Sequence, residues 1–253
     1  MTIVSLVSVK GGVGKSTLTA SLATAVARRL GGHRVAAIDL DPQNNLSWHL
    51  GLGSRRSQGL VNCASDAAAA PTPVVSEANG VRCIAFGDGV GRQLQAFEDR
   101  LAGNPSWLTE QVSRDRESMI TFIDTPSGLS VFQQHAIANS QIVLTILQPD
   151  AASYATLPDM QHSLYRHTVP ANCYFVLNKY DPRDAFAIDS AALLRGHFGE
   201  RLAPIFVSRD EGIREALALQ VTSLEHDPHS QASHDIDQLG RWLLERLKVA
   251  SRR

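Results

Sequence analysis

A glycine-rich stretch near the start of the chain, SVKGGVGKST at residues 8–17, constrains the fold more than any other part of the sequence. An apolar, β-branched run at residues 3–9 leads into it, and a run with helical spacing of apolar residues follows it as far as Gly31. A strand that turns through glycines into a helix points backbone N–H groups at a phosphate, and the helix dipole favours the negative charge. The stretch therefore predicts a phosphate-binding loop in an α/β fold.

The residues of this loop each have an expected role. The glycines admit the backbone close to phosphate oxygens, because no side chain stands in the way. Lys15 supplies a cation for the outer phosphates, the Ser16 hydroxyl is placed to hold Mg²⁺, and Thr17 can reach the inner phosphate. The predicted phosphate-binding residues form one continuous run: Gly11, Gly12, Val13, Gly14, Lys15, Ser16 and Thr17.

The loop departs from the usual pattern at its start. The position of the first glycine is occupied by Val9, and a second lysine, Lys10, comes directly after it. Lys15 already provides the cation that the usual pattern requires. The residues of the loop alone leave open what the additional ammonium group contacts.

Further apolar runs recur along the chain, and each is followed by enough residues for a crossover helix. Parallel strands that are buried on both faces read as near-continuous apolar runs. This alternation predicts a single-domain P-loop NTPase of the α/β class, with a mostly parallel central sheet of about seven to eight strands and helices on both faces. The segments that fit a strand after the first are residues 34–41, 80–87, 118–126, 141–149, 172–180 and 202–208.

One domain is expected over residues 1–253, with two segments outside the alternating pattern. Residues 64–80 are rich in alanine and contain two prolines, so they are predicted to form a surface excursion. Residues 232–250 are predicted to form a C-terminal helix. Its apolar stripe is typical of a helix packed on the domain, although a helix that binds a membrane surface shows the same pattern. The stripe consists of Ile236, Leu239, Leu243 and Leu247.

Composition limits the class of protein. The hydrophobic content of 43% and the charged content of 19% are ordinary for a soluble globular chain. The formal net charge of −1 provides no overall attraction to nucleic acid, so no sequence-specific nucleic-acid partner is expected. Cys63, Cys83 and Cys173 form no C-x-x-C pair, which indicates reduced thiols in a cytoplasmic protein.

Three acidic residues lie where strands are predicted to end. Asp39 and Asp41 close the second strand, and Asp124 closes the strand that begins near residue 118. Ligands of open α/β sheets bind at the carboxyl ends of the strands. Because phosphoryl transfer needs carboxylates that organise metal and water, these residues are candidates for that chemistry.

The motifs KGGVGKST, DLDPQ and FIDTP together resemble the ParA/MinD superfamily of deviant Walker A ATPases. The likeness covers nearly the whole chain in order, including VLNK at 176–179 and RDEGIREAL at 209–217. It implies ATP and Mg²⁺ as cofactors and a homodimer that holds two ATP molecules face to face. Lys10 would then be the signature lysine that reaches the partner's nucleotide, while Lys15 serves the phosphates of its own chain.

The same resemblance implies roles for the acidic residues and for one asparagine. Ser16 and Asp124 would hold Mg²⁺, Asp39 would support the metal site, and Asp41 would orient the attacking water. Asn178, within VLNK, matches the asparagine that reads adenine. Its amide offers both a donor and an acceptor, as a base edge requires.

Four longer stretches resemble a particular branch, the ParA-like ATPases of cellulose-synthesis operons (the BcsQ type). That likeness implies an accessory cytoplasmic subunit of a cellulose synthase and secretion complex, which other cellulose-secretion subunits recruit to the inner membrane. The alternatives are a DNA- or membrane-associated partitioning or positioning ATPase and a nucleotide-stabilised scaffold whose turnover is incidental. Residues 208–215 either cap a helix or line the nucleotide site or the dimer face. The four stretches are residues 39–52, 175–186, 202–220 and 226–235.

Overall fold

The computed structural model describes residues 1–32, 34–53, 57–64, 75–115, 117–156 and 173–250. Strands and helices alternate along these ranges, as a parallel α/β sheet requires. The strands are β1 (Thr2–Val7), β2 (Val35–Asp39), β3 (Val75–Ala78), β4 (Val81–Ile84), β5 (Ile120–Asp124), β6 (Ile142–Leu147) and β7 (Cys173–Leu177).

The helices of the described residues lie between these strands or, from residue 185 onward, after β7. Those of the first half are α1 (Lys15–Leu30), α2 (Leu46–His49), α3 (Leu60–Ala64), α4 (Arg92–Gly103) and α5 (Trp107–Arg114). Those of the second half are α6 (Val131–Asn139), α7 (Ala151–Ala155), α8 (Ala185–Phe198), α9 (Gly212–Ala218), α10 (Ser223–His226) and α11 (Gln231–Ala250).

The seven strands form one sheet in the order β3-β4-β2-β5-β1-β6-β7. Every neighbouring pair is parallel except β3 with β4, which is antiparallel. The register sets Leu6 of β1 and Asp39 of β2 opposite Asp124 of β5. The carboxyl ends of these three strands therefore lie side by side, and the predicted mostly parallel sheet is confirmed.

Both faces of the sheet are covered, also as predicted. Successive residues of β5 point to opposite faces, and Phe122 and Ile123 accordingly belong to different core clusters. The cluster that contains Phe122 includes apolar residues of α1 and α11. The cluster that contains Ile123 includes a group of aromatic rings from α4, α5 and α6.

Two details differ from the strands expected from sequence. Residues 202–208 make only two isolated bridges with the β7 side of the sheet, because the donors Ala203 N and Val207 N are four residues apart while their acceptors, the carbonyl oxygens of Phe175 and Leu177, are two apart. Within the predicted surface excursion, residues 75–78 form the antiparallel edge strand β3. The Asn79-Gly80 turn that follows has φ values of 56° and 72°, which suits a tight hairpin. Residues 65–74 lie outside the described ranges.

The C-terminal helix packs on the domain. Its apolar stripe joins the core cluster that contains α1, and Gly240 allows a close approach to Ala25 and Val26. The stripe is thus covered by protein, and the interpretation of a packed helix is confirmed. Among the residues that the structure describes, no helix has the length and apolar character needed to cross a bilayer. Cys63, Cys83 and Cys173 are buried, and within the described ranges none of them forms a disulfide.

The aromatic group provides a test of the core. Phe97 is fully buried, with ring centroids 5.7, 5.0 and 5.6 Å from those of Phe86, Trp107 and Phe132. We expect Phe97→Ala to lower the free energy of unfolding by about 3–5 kcal/mol, because it removes a large buried side chain and leaves a cavity. Urea unfolding followed by circular dichroism would measure the change.

The matched control is a second phenylalanine on the surface. The side chain of Phe186 is 54% exposed, so Phe186→Ala should change the free energy of unfolding by less than about 0.5 kcal/mol. Equal losses in the two variants would contradict the assignment of the aromatic group to the core.

Candidate functional site

The predicted phosphate-binding loop lies between β1 and α1 and has the backbone that its glycines permit. Gly12 and Gly14 have left-handed φ values of 74° and 92°, and Gly14 caps the N-terminus of α1. A Cβ on Gly14 would lie only 2.4 Å from Asn178 Nδ2, whereas one on Gly12 would meet no atom within 4 Å. Glycine is therefore required at position 14 by both conformation and space.

Lys15 is the buried cation of the loop. Its side chain extends back across the loop, and Nζ donates a hydrogen bond to Ser8 Oγ at 2.9 Å. Burial lowers the pKa of Lys15 from its ordinary value, while the negative charges of Asp124 and Asp41 oppose that shift. The ammonium group is thus held at the loop by its electrostatic attraction to nearby carboxylates.

Asp39 and Asp124 are paired across neighbouring strands and are both fully buried. Burial raises the pKa of Asp124 to about 6, against the lowering effect of the Ser16 hydroxyl and of Lys15. Burial also raises the pKa of Asp39 well above its usual range, and the adjacent charge of Asp124 adds to the effect. Two neighbouring carboxylates that are shielded from water repel each other when both are ionised. A cation bound between them and the loop would therefore be stabilising.

The donor set at Asp124 fits a magnesium ion. Its Oδ1 accepts a hydrogen bond from Thr19 Oγ1 at 3.3 Å, while its buried Oδ2 has no hydrogen-bond partner among the described residues. A buried carboxylate oxygen without a partner is costly, and Mg²⁺ prefers oxygen ligands of this kind. Ser16 and Asp124 would hold the ion, as the sequence predicts.

Asp39 accepts two backbone hydrogen bonds from the turn that carries Asp41. One oxygen of Asp39 accepts the N–H of Asp41 at 2.8 Å, and the other accepts the N–H of Leu46 at 3.0 Å. The turn between β2 and α2 is therefore anchored to a buried carboxylate. The side chain of Asp41 is left at the wall of the cleft described next.

A cleft of about 720 Å³ opens over the loop, a volume typical of small-molecule sites. Four predicted site residues do not line the cleft: Val13 is packed in the core, Asp39 and Asp124 lie buried, and Lys10 binds Asp150. The predicted residues that do line it are Gly11, Gly12, Gly14, Lys15, Ser16, Thr17, Asp41 and Asn178.

Lys10 forms an ion pair within its own chain. Its Nζ lies 2.6 Å from Asp150 Oδ2, and both side chains are about one-third exposed. Burial alone would raise the pKa of Asp150, but hydrogen bonds from Lys10 and Ser153 lower it below the ordinary value. The structure thus pairs the additional lysine with Asp150, a residue of the cleft wall, whereas Lys15 contacts Ser8 of the loop.

Three functional neighbours were missed by the sequence interpretation: Gln148, Asp150 and Lys179. Lys179 Nζ and Gln148 Nε2 both donate to the carbonyl oxygen of Gly12, at 2.7 and 3.1 Å. Asn178 Nδ2 donates to the carbonyl oxygen of Val13 at 2.8 Å. All of them follow β6 or β7 at the carboxyl edge of the sheet, so the rule that identified the aspartates would have identified these residues too.

The segment 208–215 lies at the start of α9 and at the cleft. Asp210 Oδ1 accepts the N–H of Gly212, the first residue of α9, at 2.8 Å, while the N-cap residue Glu211 makes no side-chain capping bond. Arg209, Asp210 and Arg214 also line the cleft. This segment is therefore both a helix start and a wall of the candidate site.

Comparisons with known proteins agree with this geometry. The chain is 29% identical over 255 residues to the chromosome-partitioning ATPase Soj of Thermus thermophilus, covering 98% of this chain and 97% of that protein. It is 25% identical over 248 residues to the cellulose biosynthesis protein BcsQ of Salmonella typhi, covering 96% and 94%.

A solved structure shares the fold over nearly all of its length. The septum site-determining protein MinD of Pyrococcus horikoshii, complexed with Mg-ADP, superposes with a TM-score of 0.75 at 20% identity, and 98% of each chain is covered. A model of the family described as "Cellulose biosynthesis protein BcsQ" matches residues 1–244. The chain therefore belongs to the BcsQ family, within the ParA/MinD-type ATPases.

Proposed function

We propose that this chain is an ATP-binding, dimeric switch that hydrolyses ATP slowly and serves as an accessory cytoplasmic subunit of bacterial cellulose synthesis and secretion. In that role it would control the assembly or placement of the synthase complex. The observation that carries the proposal is that Lys15 and Asp41 line one cleft, whose wall also contains Asp150, the ion-pair partner of Lys10, in a chain of the BcsQ family.

The loop would bind the triphosphate. Backbone N–H groups at the start of α1 would face the phosphates, and Lys15 would exchange its contact with Ser8 for the outer phosphate oxygens. When bound, Mg²⁺ neutralises charge on those oxygens. Asn178 would contribute to base recognition from its place on the cleft wall.

Asp41 and Lys10 would perform the two tasks that hydrolysis requires. Asp41 stands on the cleft wall, where its carboxylate can accept a hydrogen bond from the attacking water. Charge that spreads over the transferred phosphoryl group needs cations beyond Lys15. Lys10 would deliver one to the nucleotide of a second copy, after leaving Asp150.

The open space at Gly12 is compatible with a face-to-face dimer. No atom of the described residues lies within 4 Å of a Cβ built on Gly12, so this part of the loop faces outward. A second copy could therefore approach the loop closely. A cation delivered in trans would make turnover depend on dimerisation.

The cellulose role rests on the family match, and the partitioning role is the second candidate. The likeness to Soj at 29% identity supports the latter as strongly as the BcsQ relatives support the former. The formal net charge of −1 favours the cellulose role, because non-specific DNA binding depends on basic surface. A scaffold that only binds ATP is the third possibility, and the position of Asp41 argues against it.

One prediction of the proposed function concerns the phosphate-binding loop. Gly14→Ala should weaken MgATP binding at least about tenfold, because the new Cβ would collide with Asn178 and strain the left-handed backbone. Gly12→Ala carries similar backbone strain without the collision, so its affinity should stay within about threefold of wild type. Isothermal titration calorimetry measures both, and equal losses would contradict the role assigned to position 14.

A second prediction tests the roles of Lys10 and Asp41 in hydrolysis. Asp41→Ala should bind ATP and accumulate as a dimer, since the carboxylate positions water and does not bind phosphate. Lys10→Ala should bind ATP through Lys15 but hydrolyse it at least about a hundredfold more slowly, because a transition-state cation is lost. Steady-state phosphate release and mass photometry measure turnover and dimer formation.

Mixing these two variants provides the control. In a mixed dimer one site carries both defects and the other carries neither, so up to one active site should be restored. If heterodimers form and ATPase activity stays at the level of the separate variants, Lys10 does not act in trans.

A third prediction separates the cellulose role from the partitioning role. Cells that carry Lys15→Ala in place of the wild-type protein should make less cellulose, measured by dye binding, while plasmid or chromosome inheritance is unchanged. ATP-loaded wild-type protein should show no retention on non-specific duplex DNA. Strong retention that falls steeply with salt, together with normal cellulose output in the variant, would favour the partitioning role.

A further inference from the structure

The segment that forms one wall of the cleft is hydrogen-bonded to the C-terminal helix through the carboxylate of Asp235. Tyr180 N donates to the carbonyl of Val207 at 3.0 Å, and Arg209 N donates to the carbonyl of Tyr180 at 2.8 Å. The N–H of Ser208, between them, points the other way and donates to Asp235 Oδ2 at 2.9 Å. The Ser208 hydroxyl donates to the same oxygen at 2.6 Å.

Asp235 is itself held in place. Its side chain is buried, with the residue only 8% exposed, and Oδ1 accepts a hydrogen bond from Gln231 Nε2 at 2.7 Å. Hydrogen bonds to an ionised carboxylate are shorter and stronger than neutral ones, and they offset the cost of burying the charge. The carboxylate therefore fixes Ser208 relative to α11.

The helix that carries Asp235 is also packed against the helix of the phosphate loop. Leu239 and Leu243 of α11 share a core cluster with Leu22 and Val26 of α1. Ile236, next to Asp235, lines the cleft. α11 thus connects α1, which begins at the phosphate loop, with the wall that starts at Ser208.

We propose that Asp235 is a positioning residue for the nucleoside part of the ligand. The wall it anchors, Ser208 to Arg214, borders the phosphate loop through Asn178 and Tyr180 and contributes Ser208, Arg209, Asp210, Glu211, Ile213 and Arg214 to the cleft. With the phosphates on the loop, base recognition by Asn178, as proposed above, would bring base and ribose against this wall. The inference rests on the proposed binding of ATP, and it assigns Asp235 to the nucleoside end alone.

The test compares two ligands that share the phosphate contacts. Asp235→Ala should weaken MgATP binding about tenfold, because Ser208 loses the acceptor for two partly buried donors. The affinity for magnesium tripolyphosphate, which lacks a nucleoside, should stay within about twofold of wild type, since the loop is unchanged. Ser208→Ala, which removes only the hydroxyl bond, should shift MgATP binding in the same direction by a smaller factor and provides the test if Asp235→Ala fails to fold.

The control variant is Asp237→Ala. Asp237 lies two residues along the same helix and pairs with Arg29 at the surface, so its loss should leave both affinities unchanged. Equal losses for MgATP and tripolyphosphate in Asp235→Ala, or no loss for either, would overturn the proposal. Wild-type protein that binds neither ligand would overturn the proposed ATP binding instead.

Hydrogen exchange gives a second measurement that needs no ligand. In Asp235→Ala, or in Ser208→Ala if the former does not fold, the amides of 208–211 should exchange faster than in wild type. Amides of the phosphate loop, 11–17, should exchange at the wild-type rate. Unchanged exchange at 208–211, or an increase throughout the chain, would contradict a local positioning role.

Discussion

The parallel pairing of β1 with its neighbours is the constraint on which the site depends. Because Leu6 lies opposite Asp124, and Asp124 lies opposite Asp39, the phosphate loop and two carboxylates leave the sheet at the same level. A register shift of one residue would move each side chain to the other face of the sheet. The packing of both faces of the sheet therefore fixes which side chains lie together at the carboxyl ends of β1, β2 and β5.

Buried charged side chains are concentrated at this edge, and their opposite charges partly compensate each other. Lys15 is nearly enclosed beside Asp124 and Asp41. Burial lowers the pKa of Lys15 and raises the pKa of Asp124, and both shifts favour the neutral form of the side chain. Such an arrangement is costly in an empty site. A phosphate with its magnesium ion adds both signs of charge, so binding would relieve the cost. The buried charges would therefore lower the stability of the unliganded domain, and the binding of phosphate and magnesium would recover it.

Structural similarity and the family match establish different properties of this chain. The likeness to MinD at 20% identity establishes the architecture alone. The family match over residues 1–244 adds the BcsQ assignment.

The sequence by itself determined the α/β class, the phosphate loop, the aspartates at strand ends and the amphipathic C-terminal helix. Each depends on a local pattern: glycines between a strand and a helix, a run of apolar residues, or a stripe of helical period. The Asn79-Gly80 turn of the β3–β4 hairpin is a local signal of the same kind.

Only the tertiary structure decided which distant groups meet. Lys10 and Asp150 are 140 residues apart, Gly12 and Lys179 are 167 apart, and Ser208 and Asp235 meet through helix packing. These contacts follow from the order β5-β1-β6-β7 and from the docking of α11 on α1. Strand order and helix docking are set by the burial of the whole core, which no short stretch of sequence specifies.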